Sequence, residues 1–422
     1  MARLNEIGMR KAGAGAPRPN GGGAASARGP GAATLGNGGR AAVVSGTPAG
    51  RAMTRSSART DAETTFSLGL GLTNECNLAC AHCYRDPLDV RRLSLADVKA
   101  ACESLTVRSV NLGTGENGLH PDFIEIVDYL QSLDVQLGIT SNGFSTSRLD
   151  DARLRRFQSI EFSLDFPTEA EQDRFRGAGN WRLVLSEIER CKRLRVPVTI
   201  AAVMMNVNYD KLADVARVAA SLGATCRVNV YQSVQTDAFA PSYEQFWEGW
   251  RRLFATSELL VCNEPILRAV LGLKEPLHGG CGEGTVRVTP AGRVLPCVYW
   301  PEQDLQLVDL ARDGARIRRR EAFRQAVSVP AFCRACEYVE TCGGGCAARR
   351  KRSGRLDEPD PFCPFYRGED QALPHTLRPG REFPKAASAC TVVVQGRPYA
   401  AAARAAHDLD RTRPGRGPRE RP

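Results

Sequence analysis

Three closely spaced cysteines constrain this chain more than any other feature of its sequence. Cys76, Cys80 and Cys83 follow a strand-like segment with the spacing Cys-x3-Cys-x2-Cys. Three thiolates at this spacing hold one corner of a [4Fe–4S] cluster and leave the fourth iron without a protein ligand. The alternative is a zinc knuckle, but structural zinc normally takes four protein ligands, and only His82 is nearby as a fourth. The motif therefore favours an iron–sulfur cluster with an open iron.

Seven further cysteines form a second set in the C-terminal half. The chain has 15 cysteines, and its first thirty residues lack the apolar segment of a secretory signal, which argues against disulfides and for metal ligation. Zinc ribbons are the alternative for this set. We assign no role to the remaining cysteines, which are Cys102, Cys191, Cys226, Cys262 and Cys390. The second set comprises Cys281, Cys297, Cys333, Cys336, Cys342, Cys346 and Cys363.

Short apolar runs alternate with amphipathic segments from residue 66 to about 256. This alternation predicts strands joined by crossover helices, and therefore a parallel sheet in an α/β fold. In such sheets, binding sites form at the carboxyl ends of the strands. The predicted strands are Phe66–Leu72, Val107–Leu112, Val135–Thr140, Ser159–Leu164, Val196–Val203 and Thr225–Val230. The predicted helices lie near 94–105, 122–133, 147–157, 180–195 and 209–222.

Composition divides the chain into four parts. Residues 1–62 are a Gly-, Ala- and Arg-rich extension without apolar periodicity, which predicts disorder. An organelle transit segment, or a start codon assigned too early with Met53 as the true start, are the alternatives. Residues 63–256 are predicted to form the α/β domain. Residues 257–370 are predicted to form a small cysteine-rich domain that bound metal clusters stabilise. Residues 371–422 are predicted to be a basic, mostly disordered tail with an apolar stretch at Thr391–Val394.

The net charge of +10 comes from the two ends of the chain. Residues 1–60 contribute nine basic residues and one acidic residue, and residues 371–422 contribute ten and four. The intervening residues 61–370 hold 38 basic and 42 acidic residues, a net charge of −4. An acidic core argues against nucleic-acid binding. No apolar run approaches the roughly 20 residues that span a bilayer, which argues against a membrane protein.

The first cysteine motif and its surroundings resemble the radical S-adenosylmethionine (radical SAM) superfamily. The resemblance covers residues 66–256 and implies a partial (β/α)6 TIM-like barrel. In this family the open iron binds the amino and carboxylate groups of S-adenosylmethionine (SAM). One electron then splits SAM into methionine and a 5′-deoxyadenosyl radical, which abstracts hydrogen from the substrate. The matching strand-end motifs are Gly113-Thr114-Gly115-Glu116, Thr140-Ser141-Asn142-Gly143, Ser163-Leu164-Asp165 and Asp173-Arg174-Phe175-Arg176-Gly177.

The resemblance assigns roles to individual residues of these motifs. The segment that ends in Glu116 is expected to hold the methionine amino group, with the carboxylate accepting from the ammonium. Arg176 is expected to pair with the methionine carboxylate, and the hydroxyl of Ser163 to lie near the cofactor. The predicted cofactor-binding residues are His82, Gly115, Glu116, Asn142, Ser163 and Arg176.

The second cysteine set resembles, in every spacing, the SPASM domain that some radical SAM enzymes carry. The resemblance implies two auxiliary [4Fe–4S] clusters whose ligands interleave. One is expected on Cys333, Cys336, Cys342 and Cys363, and the other on Cys281, Cys297 and Cys346. Relatives sometimes add an eighth cysteine between the first two, and this chain has none there. The second cluster is therefore expected to have an open iron or a non-cysteine ligand.

The expected activity is reductive cleavage of SAM followed by hydrogen abstraction from a substrate C–H bond. The leading prediction is maturation of a ribosomally made peptide by crosslinking, oxidation or epimerisation. The alternative is radical tailoring of a small molecule such as a sugar, nucleoside or amino acid. A flavodoxin- or ferredoxin-type reductant and a separate leader-binding protein are expected partners, in the reducing cytoplasm.

Two other functions are disfavoured by particular residues. Sulfatase-maturing relatives carry an aspartate base after the second cysteine of the SPASM pattern, and this chain has Val298 there. Tyr299, which follows Val298, is the alternative base, and packing is the favoured interpretation of this tyrosine. A non-enzymatic iron–sulfur carrier or scaffold would not need the cofactor-side residues Glu116, Ser163 and Arg176. We therefore expect a radical enzyme that does not mature sulfatases.

Overall fold

The computed structural model describes residues 64–273, 280–378 and 390–397. All of them belong to one compact unit of the chain, Ala58–Pro422. The extension predicted for residues 1–62 lies outside the described residues, as does most of the tail predicted after residue 370. The domain boundaries near residues 257 and 370 remain predictions.

The six predicted strands form a continuous parallel sheet, which confirms the predicted α/β fold. Strands that follow one another in the chain are neighbours in the sheet, as short crossover connections favour. Their apolar side chains are buried, as in β1, where Phe66, Leu68 and Leu70 are at most 1% exposed. The strands are β1 (Phe66–Leu70), β2 (Val107–Leu112), β3 (Gln136–Ser141), β4 (Ser159–Ser163), β5 (Val198–Met204) and β6 (Thr225–Val230).

Helices connect these strands and cover the sheet. Several begin at a side chain that accepts a backbone N–H of the first turn, which stabilises the helix start. Ser94 closes a capping box with Asp97, and Thr168 accepts from the N–H of Glu171. The helices are α1 (Leu95–Glu103), α2 (Phe123–Ser132), α3 (Phe144–Ser147), α4 (Asp151–Leu154), α5 (Glu169–Arg176), α6 (Asn180–Arg193) and α7 (Leu212–Ser221).

The sheet is wider than the six predicted strands. Among the described residues it has ten, in the order β7-β10-β6-β5-β4-β3-β2-β1-β8-β9. Strand β8 (Thr285–Val288) lies parallel to β1, and β9 (Val294–Leu295) lies antiparallel to β8. Strands β7 (Ser257–Cys262) and β10 (Val392–Gly396) extend the other edge. Strands β8 and β9 have only four and two residues, and such short apolar runs carry little periodic signal. The sequence analysis did not predict β7 either, and at β10 it noted only an apolar stretch.

Residues 371–422 are predicted from the sequence to be a mostly disordered tail, and strand β10 corrects this prediction for Val392–Gly396. It lies between β6 and β7 and pairs antiparallel with both. Val392 and Val394 are fully buried, so the apolar stretch noted at Thr391–Val394 is a central strand. The chain thus returns to the barrel sheet after the cysteine-rich segment.

Helix α8 (Tyr243–Ala255) packs the cysteine-rich segment against the barrel. Its Phe246 stacks on Phe362, with ring centroids 4.1 Å apart and planes 5° from parallel. Across the described ranges, no helix has both the length and the apolarity needed to cross a membrane. The remaining helices are α9 (Pro265–Val270), α10 (Leu307–Asp313), α11 (Glu321–Ala326), α12 (Val339–Cys342), α13 (Ala347–Arg352) and α14 (Pro364–Arg367).

Candidate active site

The carboxyl ends of the parallel strands surround a cavity of about 240 Å³, here called the first cavity. Its wall brings together residues that are far apart in the sequence, as expected for the carboxyl edge of a parallel sheet. It includes the three cysteines of the first motif and every predicted cofactor-binding residue: Cys76, Cys80, Cys83, His82, Gly115, Glu116, Asn142, Ser163 and Arg176.

Gly115 allows two loops of this site to touch. Its φ is +63°, and a Cβ at this position would lie 2.5 Å from the carbonyl oxygen of Glu75 and closer still to that of Thr73. The backbone N–H of Glu116 donates to the Glu75 carbonyl over 2.7 Å. Because Glu75 directly precedes Cys76, these contacts position the first cysteine against the Gly113–Glu116 segment.

The carboxylate of Glu116 is buried and accepts four hydrogen bonds from the turn that follows β3. Its Oε1 accepts from the hydroxyl of Ser141 (2.6 Å) and from both the N–H (2.8 Å) and the hydroxyl of Ser145. Its Oε2 accepts from the N–H of Asn142 (2.9 Å). Burial, offset in part by these donors, raises the pKa of Glu116. Each carboxylate oxygen has about two acceptor positions, so room for the predicted methionine ammonium remains only at Oε2.

Asn142 contacts the first cysteine motif directly. Its Nδ2 donates to Asn77 Oδ1 over 2.8 Å and lies 3.6 Å from Cys76 Sγ. Its backbone carbonyl accepts from Asn180 Nδ2 over 2.9 Å. These contacts hold the cysteine loop in place, and a contact between Asn142 and the cofactor stays a prediction.

Arg176 forms a buried ion pair with Asp165. Arg176 Nε and Nη2 lie 2.8 and 2.7 Å from Asp165 Oδ2. Asp165 Oδ1 accepts from the N–H of Val203 over 2.9 Å, so the carboxylate is anchored to β5. The predicted contact of Arg176 with the methionine carboxylate is therefore left to the remaining N–H groups, two on Nη1 and one on Nη2. The sequence analysis did not include Asp165 among the site residues, although it stands in the Ser163-Leu164-Asp165 motif.

His82 lies beside this ion pair as an uncharged ring. Its Nε2 is 3.6 Å from Asp165 Oδ2, and its ring stacks on Phe175 with centroids 4.9 Å apart. Burial, opposed by Asp165 and assisted by Arg176, lowers the pKa of His82 to about 4. Its Nδ1 is buried and, among the described residues, has no hydrogen-bond partner. A neutral ring with one uncommitted nitrogen suits contact with a planar group in the cavity.

The sequence analysis missed several polar residues of the cavity wall. Arg227 pairs with Glu161 over 2.8 Å, and the hydroxyl of Tyr84 lies 2.9 Å from Thr114 Oγ1. The sequence did carry a signal for Arg227 and Asn229, because polar residues occupy every second position of β6, an otherwise apolar strand. The missed wall residues include Tyr84, Arg227, Asn229 and Arg287. Tyr299, interpreted from the sequence as a packing residue, also lines this wall.

Comparison with known families decides the class of this site. The sequence model of the radical SAM superfamily matches residues 70–219, which contain the three cysteines and all the cofactor-side residues described above. Residues 70–219 of this chain are a radical SAM domain. Mycofactocin maturase MftC of Mycobacterium tuberculosis (strain CDC 1551 / Oshkosh) is 28% identical over 316 residues, which cover 69% of this chain and 81% of the relative.

Two further comparisons extend over most of this radical SAM enzyme. PqqA peptide cyclase of Gluconobacter oxydans (strain 621H) is 27% identical over 362 residues, 74% of this chain and 95% of the relative. The crystal structure of Streptococcus suis SuiB bound to S-adenosylmethionine has a TM-score of 0.53 at 16% identity, over 71% of this chain and 77% of that chain. This structural likeness supports the partial-barrel fold.

The superfamily implies a [4Fe–4S] cluster and SAM, and the donor set of the first cavity fits them. Its wall offers three thiols, with no fourth cysteine among the described residues. Nowhere in the described ranges do three His, Cys, Asp or Glu side chains converge on a position for one metal ion. A zinc ion would need thiolates within about 2.3 Å, so the geometry favours the cluster over the zinc knuckle. Burial raises the pKa of Cys76 to about 11, and ligation must therefore displace a proton.

The second cysteine set is divided between two smaller cavities. The division is the one that the SPASM resemblance implies, with one cysteine added. The third cavity is lined by Cys333, Cys336, Cys342 and Cys363. The second cavity is lined by Cys281, Cys297 and Cys346, and also by Cys390.

Arg349 links the walls of these two cavities through a buried ion network. Its Nη2 lies 2.7 Å from Glu264 Oε1, on the wall of the second cavity, and 2.7 Å from Asp360 Oδ2, on the wall of the third. Asp360 Oδ2 also accepts from the N–H of Cys346 over 2.8 Å. Asp360, on the wall of the third cavity, therefore helps to position Cys346, which lines the second cavity.

Proposed function

We propose that this radical SAM enzyme matures a ribosomally made peptide by abstracting hydrogen from one of its C–H bonds. The observation that carries the proposal is the assembly of Cys76, Cys80 and Cys83 with the cofactor-side residues around the first cavity. The names of the two sequence relatives, a maturase and a peptide cyclase, support a peptide substrate. The reaction on the peptide would be a crosslink, an oxidation or an epimerisation.

In this proposal the three cysteines of the first motif ligate a [4Fe–4S] cluster whose fourth iron takes the methionine end of SAM. Bound there, the two groups supply one-electron cleavage and a hydrogen-abstracting carbon radical. The second and third cavities would each hold an auxiliary [4Fe–4S] cluster. A cytoplasmic flavodoxin- or ferredoxin-type protein would supply the electron, and a separate protein would bind the leader of the peptide.

The chain's own residues would bind and orient the methionine end of SAM. Arg176 is fixed by two of its nitrogens on Asp165, which leaves its other N–H groups, two on Nη1 and one on Nη2, to pair with the carboxylate. Glu116 keeps an acceptor position at Oε2 for the ammonium, while its other acceptor positions hold the turn at 141–145. Each charged end of the methionine group thus meets a side chain that is already immobilised, which lowers the entropic cost of binding.

The wall beyond the cofactor residues would contact the substrate. Arg227 and Asn229 project from β6 into the first cavity. The charge of Arg227 is offset by Glu161, so this part of the wall offers hydrogen-bond donors without requiring an anionic substrate. Such a surface suits the amide groups of a peptide backbone.

Anaerobic reconstitution with iron and sulfide tests the proposal. Three [4Fe–4S] clusters would give roughly 12 iron atoms per chain, and dithionite with SAM should release 5′-deoxyadenosine. The Cys80→Ala variant should lose deoxyadenosine formation and roughly four iron atoms, whereas Cys102→Ala, a buried cysteine on α1, should lose neither. A protein that binds zinc and forms no deoxyadenosine would refute the proposal.

The peptide part requires its own measurement. Synthetic peptides encoded by short genes beside this one, added with SAM and dithionite, should show a mass change by mass spectrometry. The same peptides with the Cys80→Ala variant should stay unmodified. Deoxyadenosine formation that is stimulated by a sugar, nucleoside or amino acid, with every peptide unchanged, would replace the peptide with a small-molecule substrate.

A further inference from the structure

We propose that Cys390 is the fourth ligand of the auxiliary cluster held by Cys281, Cys297 and Cys346. The inference rests on the proposed function, in which the second cavity holds a [4Fe–4S] cluster. Cys390 lies outside the spacing pattern of the second cysteine set, in the segment predicted to be a tail. The structure nevertheless places it on the wall of the second cavity with the other three.

The four thiols lie together in the structure. All four line the second cavity. Cys297 and Cys346 are buried members of one packed cluster, and Cys281 and Cys390 pack against it. None of the four is in a disulfide. The cavity wall therefore supplies the four thiolates that a fully ligated cluster takes.

Strand β10 holds Cys390 at this place. The carbonyl of Thr391 accepts from the N–H of Asn263 over 2.7 Å, at the end of β7. Val392 pairs with Val228 on one side and with Cys262 on the other. Cys390 itself has a φ of +63°, in the left-handed region that non-glycine residues seldom adopt. The segment that leads into this buried central strand thus places Cys390 beside the other three cysteines.

Glu264 is the competing ligand on the wall of the second cavity. Its carboxylate is 2% exposed and pairs with Arg349 over 2.7 Å. Ligation by Glu264 would take this carboxylate away from a buried arginine, which is unfavourable. Ligation by Cys390 leaves the ion pairs of Arg349 with Glu264 and Asp360 intact.

A cluster closed by four cysteines has no open iron. In place of the open iron or non-cysteine ligand expected from the sequence, this auxiliary site would be fully ligated. Substrate would then have no iron to bind in the second cavity, and the cluster would be limited to electron transfer.

The test uses the full-length chain with Cys76, Cys80 and Cys83 changed to Ala, so that only the auxiliary sites remain. This background is reconstituted anaerobically and compared with the same chain carrying Cys390→Ala or Cys390→Ser. Cys226→Ala, which removes a buried thiol from the neighbouring strand β6, is the matched control. The readouts are the iron content and the electron paramagnetic resonance spectrum of the reduced protein, with and without potassium cyanide, a small ligand for an open iron.

The background and the Cys226→Ala control should hold roughly eight iron atoms and give spectra that cyanide does not change. Cys390→Ala should give a cyanide-dependent spectrum or lose roughly four iron atoms. Cys390→Ser keeps a side chain of similar size and offers an oxygen ligand in place of sulfur. This variant should shift the spectrum. Full iron content with unchanged, cyanide-insensitive spectra in both Cys390 variants would overturn the proposal and leave the proposed function intact. A cyanide response in the background would also overturn it, and zinc in place of iron there would refute the auxiliary clusters as well.

Discussion

Tyr84 and Tyr299 meet edge to face, with ring centroids 5.5 Å apart and planes inclined by 81°. Tyr84 directly follows the third cysteine of the first motif, and Tyr299 lines both the first and the second cavity. Aromatic pairs at this spacing and inclination attract one another. The pair is thus part of the partition between the first cavity and the second.

Replacing Tyr299 by Ala should open this partition. Removing a fully buried aromatic ring typically costs about 3–5 kcal/mol. Tyr299 is partly buried, so the variant should lose less than that and still melt at a lower temperature. Its reconstituted clusters should also lose iron to a chelator faster, followed as bleaching of the visible absorbance. Tyr299→Phe keeps the ring and serves as the control, with bleaching close to that of the parent. Equal bleaching in all three proteins would contradict the role of the pair as a partition between the two cavities.

Gly115→Ala should impair SAM binding because two kinds of strain coincide there. The new Cβ would collide with the carbonyls of Thr73 and Glu75, and the residue would keep a left-handed backbone. Gly223→Ala is the matched control, since its φ is +76° and nothing lies within 4 Å of its Cβ position. The control should lose only the backbone term, about 1–2 kcal/mol of stability. Calorimetric titration with SAM should show weaker binding for Gly115→Ala alone.

Glu116→Gln should weaken SAM binding through the turn at 141–145. The amide NH2 of glutamine would face at least one N–H or hydroxyl that now donates to the carboxylate. An unsatisfied buried donor costs about 1–3 kcal/mol of stability. The amide also loses the charge that would meet the methionine ammonium, a contact of about 1.5–3 kcal/mol, which corresponds to roughly 10- to 150-fold in the Kd for SAM. Glu75→Gln is the control, because that carboxylate pairs with the surface residue Arg92. Parent-like affinity in Glu116→Gln would contradict the role of this carboxylate.

Asp165→Asn should destabilise the protein much more than the loss of an exposed ion pair. The change leaves the guanidinium of Arg176 buried without its carboxylate, at a cost of about 3–5 kcal/mol. Glu169→Gln removes a pair between Glu169 and Arg182 that is largely exposed, and such pairs contribute about 0–1 kcal/mol. Thermal unfolding of both reconstituted variants measures the contrast. Equal melting temperatures would mean that the buried pair adds no stability.

Asp360→Asn should loosen both auxiliary sites together. Asp360 pairs with Arg349 and accepts from the N–H groups of Cys346 and Phe362. Breaking a buried ion network by changing one member costs about 3–5 kcal/mol. Iron loss to a chelator should accelerate in this variant and remain parent-like in Asp357→Asn, an exposed carboxylate nearby. If only one auxiliary site loses iron, the network does not couple the two.

The sequence by itself determined the class of the protein. Cysteine spacing, strand periodicity and the strand-end motifs are local patterns, and each can be recognised without knowing what packs against it. The six central strands therefore appeared close to their predicted positions, and Glu116, Ser163 and Arg176 line the first cavity together with the three cysteines. The division of the second cysteine set was likewise available from the resemblance.

Only the tertiary structure decided which residues hold these groups in place. The pairing of Arg176 with Asp165 and the four donors on Glu116 depend on the approach of separate strand ends, which periodicity does not record. The place of Cys390 depends on a strand that leaves the cysteine-rich segment and inserts between β6 and β7. A short valine run after a polar stretch carries no signal of its distant partners. Backbone pairing across the sheet, and not local propensity, brought that cysteine to the second cavity.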